Sequence, residues 1–138
     1  MMRIPGRLLE KIFDHVRSSY PEEGCGVLIG KVDGEERSVV KVRSTRNTHP
    51  DRRNRYTIDP VTIFHAERGA ESEGLELIGV FHSHPDRPVE PSGHDRDGAW
   101  GSLTFMIIAV SKGVVGEARA WRSSGDERGF VEEPIRVD

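Results

Sequence analysis

The residues that could do chemistry lie close together in the second half of the chain. His82, Ser83 and His84 are consecutive, and Ser92 and Asp95 follow a proline-rich segment. On a β-strand, residues two apart project to the same face, so both imidazoles can reach one point. Two imidazoles and a carboxylate, with a fourth position left for water, form the ligand set of a catalytic zinc site. The combination therefore predicts a metal site, although His-X-His alone is weak evidence and a lone Ser-x-x-Asp is better explained as a helix cap.

A second acidic element lies far upstream, where the first predicted helix gives way to the first predicted strand. Glu22 and Glu23 follow Pro21 and precede Cys25. A carboxylate at such a junction is held by rigid backbone, as a group that transfers protons needs to be. From spacing alone, both glutamates are better explained as solvated loop charges. Cys25 leads into an apolar run and is interpreted as a buried structural thiol.

Helices and strands that could position these residues follow from the apolar pattern. An apolar stripe at helical spacing predicts a helix over residues 5–20, and Asp59-Pro60 starts a second helix that runs to about residue 69. Prolines at 85, 88 and 91 argue against regular structure up to Ser92, after which a short helix is expected. Extended segments are predicted at 26–30, 39–42, 56–58, 75–84, 103–110, 117–122 and 130–137. This order predicts an α/β fold with helices packed on a mixed sheet.

The length and composition limit the class of protein. The chain has 138 residues, with 35% hydrophobic and 31% charged residues, which predicts one domain over residues 1–138. No window approaches about 18 consecutive apolar residues, so no membrane-spanning helix is expected. No basic-then-apolar export segment opens the sequence, and we expect a cytoplasmic protein without a membrane partner. The net charge of −3 gives no reason to expect a nucleic-acid partner.

Taken together, the motifs resemble a known family. A glutamate, then His-Ser-His-Pro, seven residues, a serine, two residues and an aspartate is similar to the JAMM, or MPN-plus, metalloproteases. The segment Pro-x-Glu-x-Cys-Gly also matches, and it selects Glu23 over Glu22. The segment from Arg55 to Pro60 and the proline-rich run resemble the small bacterial branch. The resemblance covers roughly residues 3–133 and implies a three-layer α-β-α sandwich related to the cytidine deaminases.

The resemblance also implies roles for the individual residues. It makes His82, His84 and Asp95 the ligands of Zn²⁺. Glu23 then takes a proton from the water and delivers it to the departing amine, and Ser92 donates a hydrogen bond to the developing oxyanion. Zinc fits two imidazole ligands better than magnesium does.

The substrate follows by the same resemblance. Family members cleave after the C-terminal Gly-Gly of ubiquitin or of ubiquitin-like sulfur-carrier proteins. The short loops of this chain are similar to the bacterial branch, which implies release of an amino acid or peptide from a sulfur carrier. Two alternatives stay open, namely a non-catalytic MPN scaffold that binds partners and a metal-dependent hydrolase of a small amide.

A basic stretch is the remaining feature of interest. Six lysines and arginines against one aspartate give residues 41–55 a net charge of +5. Such a stretch can be a solvated loop or a landing surface for an acidic ubiquitin-like partner, which would act mainly on the association rate. Nucleic acid is disfavoured because Tyr56 is the one aromatic residue that accompanies these charges.

Overall fold

A mixed β-sheet forms the centre of the computed structural model, which describes residues 1–91, 103–123 and 129–138. In the described part the strand order is β7-β6-β5-β4-β2-β3-β1-β8. β2 runs antiparallel to β3 and β4, whereas β4 and β5 are parallel neighbours. In chain order the elements are β1 (Met2–Ile4), α1 (Gly6–Ser19), β2 (Cys25–Asp33), β3 (Glu36–Thr45), α2 (Pro60–Ser72), β4 (Glu76–Pro85), β5 (Thr104–Ser111), β6 (Val114–Ser123), β7 (Phe130–Glu133) and β8 (Ile135–Val137).

Two helices cover opposite faces of this sheet. Successive residues of a strand point to opposite faces, and β2 shows this directly. Leu28 belongs to the apolar cluster that α1 completes, whereas its neighbours Val27 and Ile29 belong to the cluster that contains Ala66 and Ala70 of α2. The arrangement confirms the expected α/β sandwich with a helix layer on each side.

The helix boundaries agree closely with the sequence pattern. α1 lies within the predicted 5–20 segment and buries Leu8, Ile12 and Val16 along one stripe. α2 begins at Pro60, and the Asp59 side chain accepts a hydrogen bond from the Val61 amide at 2.9 Å, as an N-cap residue does. Neither helix in the described ranges is long and apolar enough to span a bilayer.

The C-terminal segment differs from the expectation of one edge strand over 130–137. Pro134 interrupts it, and β7 and β8 lie at opposite edges of the sheet. Residues two apart in a chain lie at most about 7 Å from each other, so the sheet must curl until its two edges come together here. The Met2 amide donates to the Pro134 carbonyl at 2.9 Å across this junction.

Two further details depart from the sequence pattern. β1 was not expected, because three residues are too few to show a strand period. Pro85 is the last residue of β4, paired in register with Val110, and not the start of an irregular segment. The short helix expected after Pro91 lies outside the described residues.

Candidate active site

The two histidines lie at the end of the central strand β4. In register, His82 stands opposite Cys25 of β2 and beside Ile107 of β5. Both imidazoles are buried, and their Nε2 atoms are 3.2 Å apart. The expectation that residues two apart on this strand share a face is therefore confirmed. Burial of both rings restricts their movement.

Glu23 joins the histidines from a distant part of the chain. It lies two residues before Cys25, so the antiparallel pairing of β2 with β4 brings it to the end of β4. Its carboxylate and the ring nitrogens of His82 and His84 all lie within 4.8 Å of one another. The side chain is 1% exposed, so the interpretation of Glu23 as a solvated loop charge is wrong. Glu22 does lie at the surface, where it pairs with Arg52 at 2.9 Å.

Two opposing effects act on the Glu23 carboxyl group. Burial raises its pKa above the ordinary value because a buried site disfavours the charged form. The neighbouring His82 and Arg87 oppose this shift. Arg87 Nη2 donates to Glu23 Oε2 at 2.8 Å, while Oε1 is buried without a hydrogen-bond partner among the described residues.

The ring of His84 is held in one tautomer. Its Nδ1 lies 2.6 Å from the main-chain oxygen of Pro88. A carbonyl can only accept, so Nδ1 carries a proton, and in the neutral ring Nε2 then carries the lone pair that a metal ligand requires. Tyr56 stacks on the ring of His82, with centroids 4.4 Å apart and planes inclined by 20°. Both rings are thus oriented by neighbours outside β4.

Asn47 organises the segment that carries Tyr56. Its Nδ2 donates to the carbonyls of Glu23 and Arg55, each at 3.0 Å. Its Oδ1 accepts from the amides of His49 and Thr57, each at 3.1 Å. One side chain therefore ties the loop between β3 and α2 to the main chain of the buried glutamate.

This arrangement fits a zinc ion. Two nitrogens bound to one tetrahedral zinc at about 2.0–2.1 Å lie about 3.3 Å apart, and the two Nε2 atoms are separated by 3.2 Å. Two imidazole nitrogens at this distance can share one hydrogen bond or bind one cation, and a cation would take the lone pairs of both. The other expected site residues, Ser92 and Asp95, lie outside the described residues.

The basic stretch 41–55 is exposed, and only some of its basic side chains form ion pairs with acidic residues. Lys41 forms an ion pair with Glu73, and Arg52 and Arg53 are paired with acidic neighbours. Arg43, Arg46 and Arg55 form no ion pair within the described ranges. A cleft of about 430 Å³ is lined by Glu23, Arg46 and Arg52 together with residues of α1, and neither site histidine lines it.

The sequence did not predict the residues that hydrogen-bond to Glu23 and to the neighbouring loop. Arg87 lies in the proline-rich run, and its direction depends on Asp86, whose φ of 56° is left-handed. Asn47 lies in a polar loop of ordinary composition. These contacts join residues that are far apart in the sequence, so a local pattern cannot predict them. The one signal in the sequence is a single arginine three residues after His84.

Comparison with known proteins places the chain in a family. A family model described as prokaryotic homologs of the JAB domain matches residues 5–124. A desampylase from Pyrococcus furiosus is 39% identical over 121 residues, which is 86% of this chain and 78% of that protein. A probable TtuB-protein conjugate cleaving protease from Thermus thermophilus is 34% identical over 110 residues, which is 80% of this chain and 71% of the relative.

Solved structures share the fold of this chain. The solution structure of protein DSY2949 from Desulfitobacterium hafniense superimposes with a TM-score of 0.87 at 28% identity and covers 100% of this chain and 93% of its own. The JAB1/MPN domain protein AF2198 from Archaeoglobus fulgidus has a TM-score of 0.63 at 19% identity, with coverages of 99% and 97%, and it supports the fold alone. The chain belongs to the family of prokaryotic JAB-domain homologues.

Proposed function

We propose that the protein is a zinc-dependent peptidase or isopeptidase that hydrolyses the amide bond after a C-terminal Gly-Gly. The observation that carries this proposal is the buried group of Glu23, His82 and His84, whose ligand atoms lie within 4.8 Å of one another. Two relatives whose names denote a desampylase and a conjugate-cleaving protease support hydrolysis of a protein conjugate.

In this proposal His82, His84 and Asp95 hold the ion. A Zn²⁺ ion held by these residues would supply Lewis-acid chemistry, since it would lower the pKa of a bound water to about 7 and polarise a carbonyl. The fixed tautomer of His84 and the spacing of the two Nε2 atoms support two of these ligands. The assignment of Asp95 rests on its place in the sequence motif.

Glu23 is the proton carrier of the proposed reaction. A general base must lie within hydrogen-bond reach of the proton that it removes, directly or through one water. Glu23 is buried beside the histidines, and its Oε1 has no partner among the described residues, so this oxygen can accept a proton and return it to the leaving amine. Ser92 donates a hydrogen bond to the oxyanion, a contribution typically worth ~10²–10³ in rate.

The proposed substrate is a ubiquitin-like sulfur-carrier protein extended beyond its Gly-Gly. Glycines lack side chains, so a narrow groove beside the site can select them. The TtuB-conjugate cleaving relative acts, by its name, on conjugates of a protein. We infer that the reaction takes place in the cytoplasm, where the single buried thiol Cys25 needs no disulfide partner.

The basic stretch is the proposed docking surface for an acidic face of the carrier. The charge of +5 over residues 41–55 and the three unpaired arginines 43, 46 and 55 in the described part of the chain support this role. Two of its arginines, Arg46 and Arg52, line a cleft together with Glu23. Charges arranged in this way raise the rate of encounter more than the strength of the complex.

Two alternatives have weaker support. A non-catalytic scaffold does not need two buried imidazoles and a buried carboxylate at one point. A hydrolase of small amides would use the same site but would gain nothing from the basic stretch. Comparing a Gly-Gly amide peptide with a complete carrier as substrates separates the small-amide hydrolase from the proposed enzyme.

The decisive experiment combines elemental analysis with mass spectrometry of a carrier fusion. A ubiquitin-like sulfur carrier extended by a short peptide after Gly-Gly is incubated with the zinc-loaded protein, and we expect cleavage directly after the second glycine. Glu23→Gln should keep the zinc and lose turnover, whereas Asp95→Ala should lose both. Wild-type turnover in Glu23→Gln would show that Glu23 is not the base.

A further inference from the structure

Arg87 makes an unusual set of contacts for a residue outside the sequence motif. Its Nη2 donates to Glu23 Oε2 at 2.8 Å and to the Asn54 carbonyl at 3.2 Å, and its Nη1 donates to the Arg53 carbonyl at 3.3 Å. It is the one cation that pairs with Glu23 among the residues that the structure describes. One guanidinium therefore joins the buried carboxylate to the loop of residues 51–55.

The backbone around Arg87 is itself anchored. Asp86 adopts a left-handed φ of 56°, which turns the chain at the end of β4. Its amide donates to the Val110 carbonyl at 2.8 Å, and its carboxylate accepts from the Lys112 amide at 2.9 Å and from the Tyr20 hydroxyl at 2.7 Å. The direction in which Arg87 leaves the strand is thus set by contacts to two other parts of the fold.

An arginine suits this position for a chemical reason. A carboxylate that is 1% exposed needs a charged or hydrogen-bonding partner. The planar guanidinium offers five donors in a fixed geometry and can satisfy the carboxylate and two carbonyls together, whereas lysine offers a single charged point. Because Oε2 of Glu23 accepts from Arg87, the other oxygen, Oε1, is the one left without a partner among the described residues.

We propose that Arg87 is a positioning residue that holds the Glu23 carboxylate in one orientation and joins the 51–55 loop to it. This inference rests on the proposed function, in which Glu23 carries the proton. Arg87 does not touch the reacting atoms in this role; it determines which carboxylate oxygen does. The 51–55 loop is thereby coupled to the carboxylate that carries the proton.

The test compares Arg87→Ala and Arg87→Lys with the wild-type enzyme on the carrier fusion. Loss of an outer-shell partner at a metal site typically costs about 10–100-fold in affinity or activity, and we expect a loss of similar size in kcat for Arg87→Ala, with KM close to the wild-type value. Arg87→Lys, which restores the charge without the planar donors, should recover part of the loss. Arg17→Ala is the matched control, because Arg17 pairs with Asp14 at the same 2.8 Å on the exposed face of α1.

A second readout does not depend on activity. The carboxyl-carbon resonance of Glu23, measured by NMR in the metal-free and zinc-loaded proteins, should shift in both Arg87 variants and stay in place in Arg17→Ala. Amide hydrogen exchange in the 51–55 loop should become faster in Arg87→Ala. If the wild type does not cleave the fusion, the proposed function fails, and these two measurements still decide whether Arg87 holds Glu23.

Three results would overturn the assignment. Wild-type kcat in Arg87→Ala would show that the orientation of Glu23 does not depend on Arg87. A loss of kcat that parallels a loss of bound zinc or of folded protein would make Arg87 a structural residue. An unchanged Glu23 resonance in Arg87→Ala would show that the two side chains do not interact in solution.

Discussion

Ser83 and Gly24 exchange hydrogen bonds between the end of β4 and the segment before β2. The Gly24 amide donates to Ser83 Oγ at 2.8 Å, and the Ser83 amide donates to the Gly24 carbonyl at 3.0 Å. Ser83 lies between the two site histidines, and Gly24 directly follows Glu23. This pair therefore fixes the distance between the carboxylate and the imidazoles from the opposite face of the strand.

Ser83→Ala should lower stability and activity together. The substitution leaves the buried amide of Gly24 without its acceptor, a loss that typically costs about 1–3 kcal/mol. Chemical denaturation measures the change in the free energy of unfolding. Ser72→Ala is the control, because the Ser72 hydroxyl donates to Gly69 on the exposed surface of α2; equal effects of the two substitutions would contradict the prediction.

Tyr56→Ala should weaken zinc binding while Tyr56→Phe preserves most of it. The ring of Tyr56 stacks on His82 and limits its orientation, and loss of a neighbour that orients a metal ligand typically costs about 10–100-fold in affinity. Competition with a chromophoric chelator measures the zinc affinity. Wild-type affinity in Tyr56→Ala would show that β4 alone orients His82.

The thiol of Cys25 should make the fold sensitive to alkali. Burial raises the pKa of Cys25 to about 11, whereas an exposed thiol in the unfolded chain has a pKa of about 8.5. The contribution of Cys25 to stability is therefore complete below about pH 8.5 and is lost as the pH rises through about 11. Urea midpoints from pH 8 to 11 should fall more steeply in the wild type than in Cys25→Ala; parallel curves would contradict this.

Neutralising Arg43, Arg46 and Arg55 to Gln should slow encounter with an acidic carrier. We expect kcat/KM for the carrier fusion to fall by about 10-fold or more at low salt, with a smaller difference at high salt, because screening removes long-range attraction. Turnover of a Gly-Gly amide peptide should change little. Arg7, Lys11 and Arg17 on the exposed face of α1, changed to Gln together, form the matched control; the same loss in both triple variants would exclude a specific docking surface.

The local sequence pattern was sufficient to predict many of the helices and strands of this protein. The apolar stripe of α1, the Asp59-Pro60 start of α2 and the apolar runs of β2, β4 and β5 depend on neighbours within a few residues, so their elements could be predicted closely. The shared face of His82 and His84 follows from the strand period. The motif also associated Glu23 with them through the family resemblance, although spacing alone would have left Glu23 in solvent.

Tertiary structure decided what depends on contacts between distant segments. Burial of Glu23 requires β2 to pair with β4. Its bond to Arg87 requires the left-handed turn at Asp86, which β5 and the turn after β5 stabilise. The curl that brings β7 and β8 to one junction is a property of the whole sheet. The residue types and their spacing determined which chemistry the chain could perform, because ligand atoms and strand period are local. Only the fold determined how the carboxylate is oriented, because that orientation comes from an arginine 64 residues away.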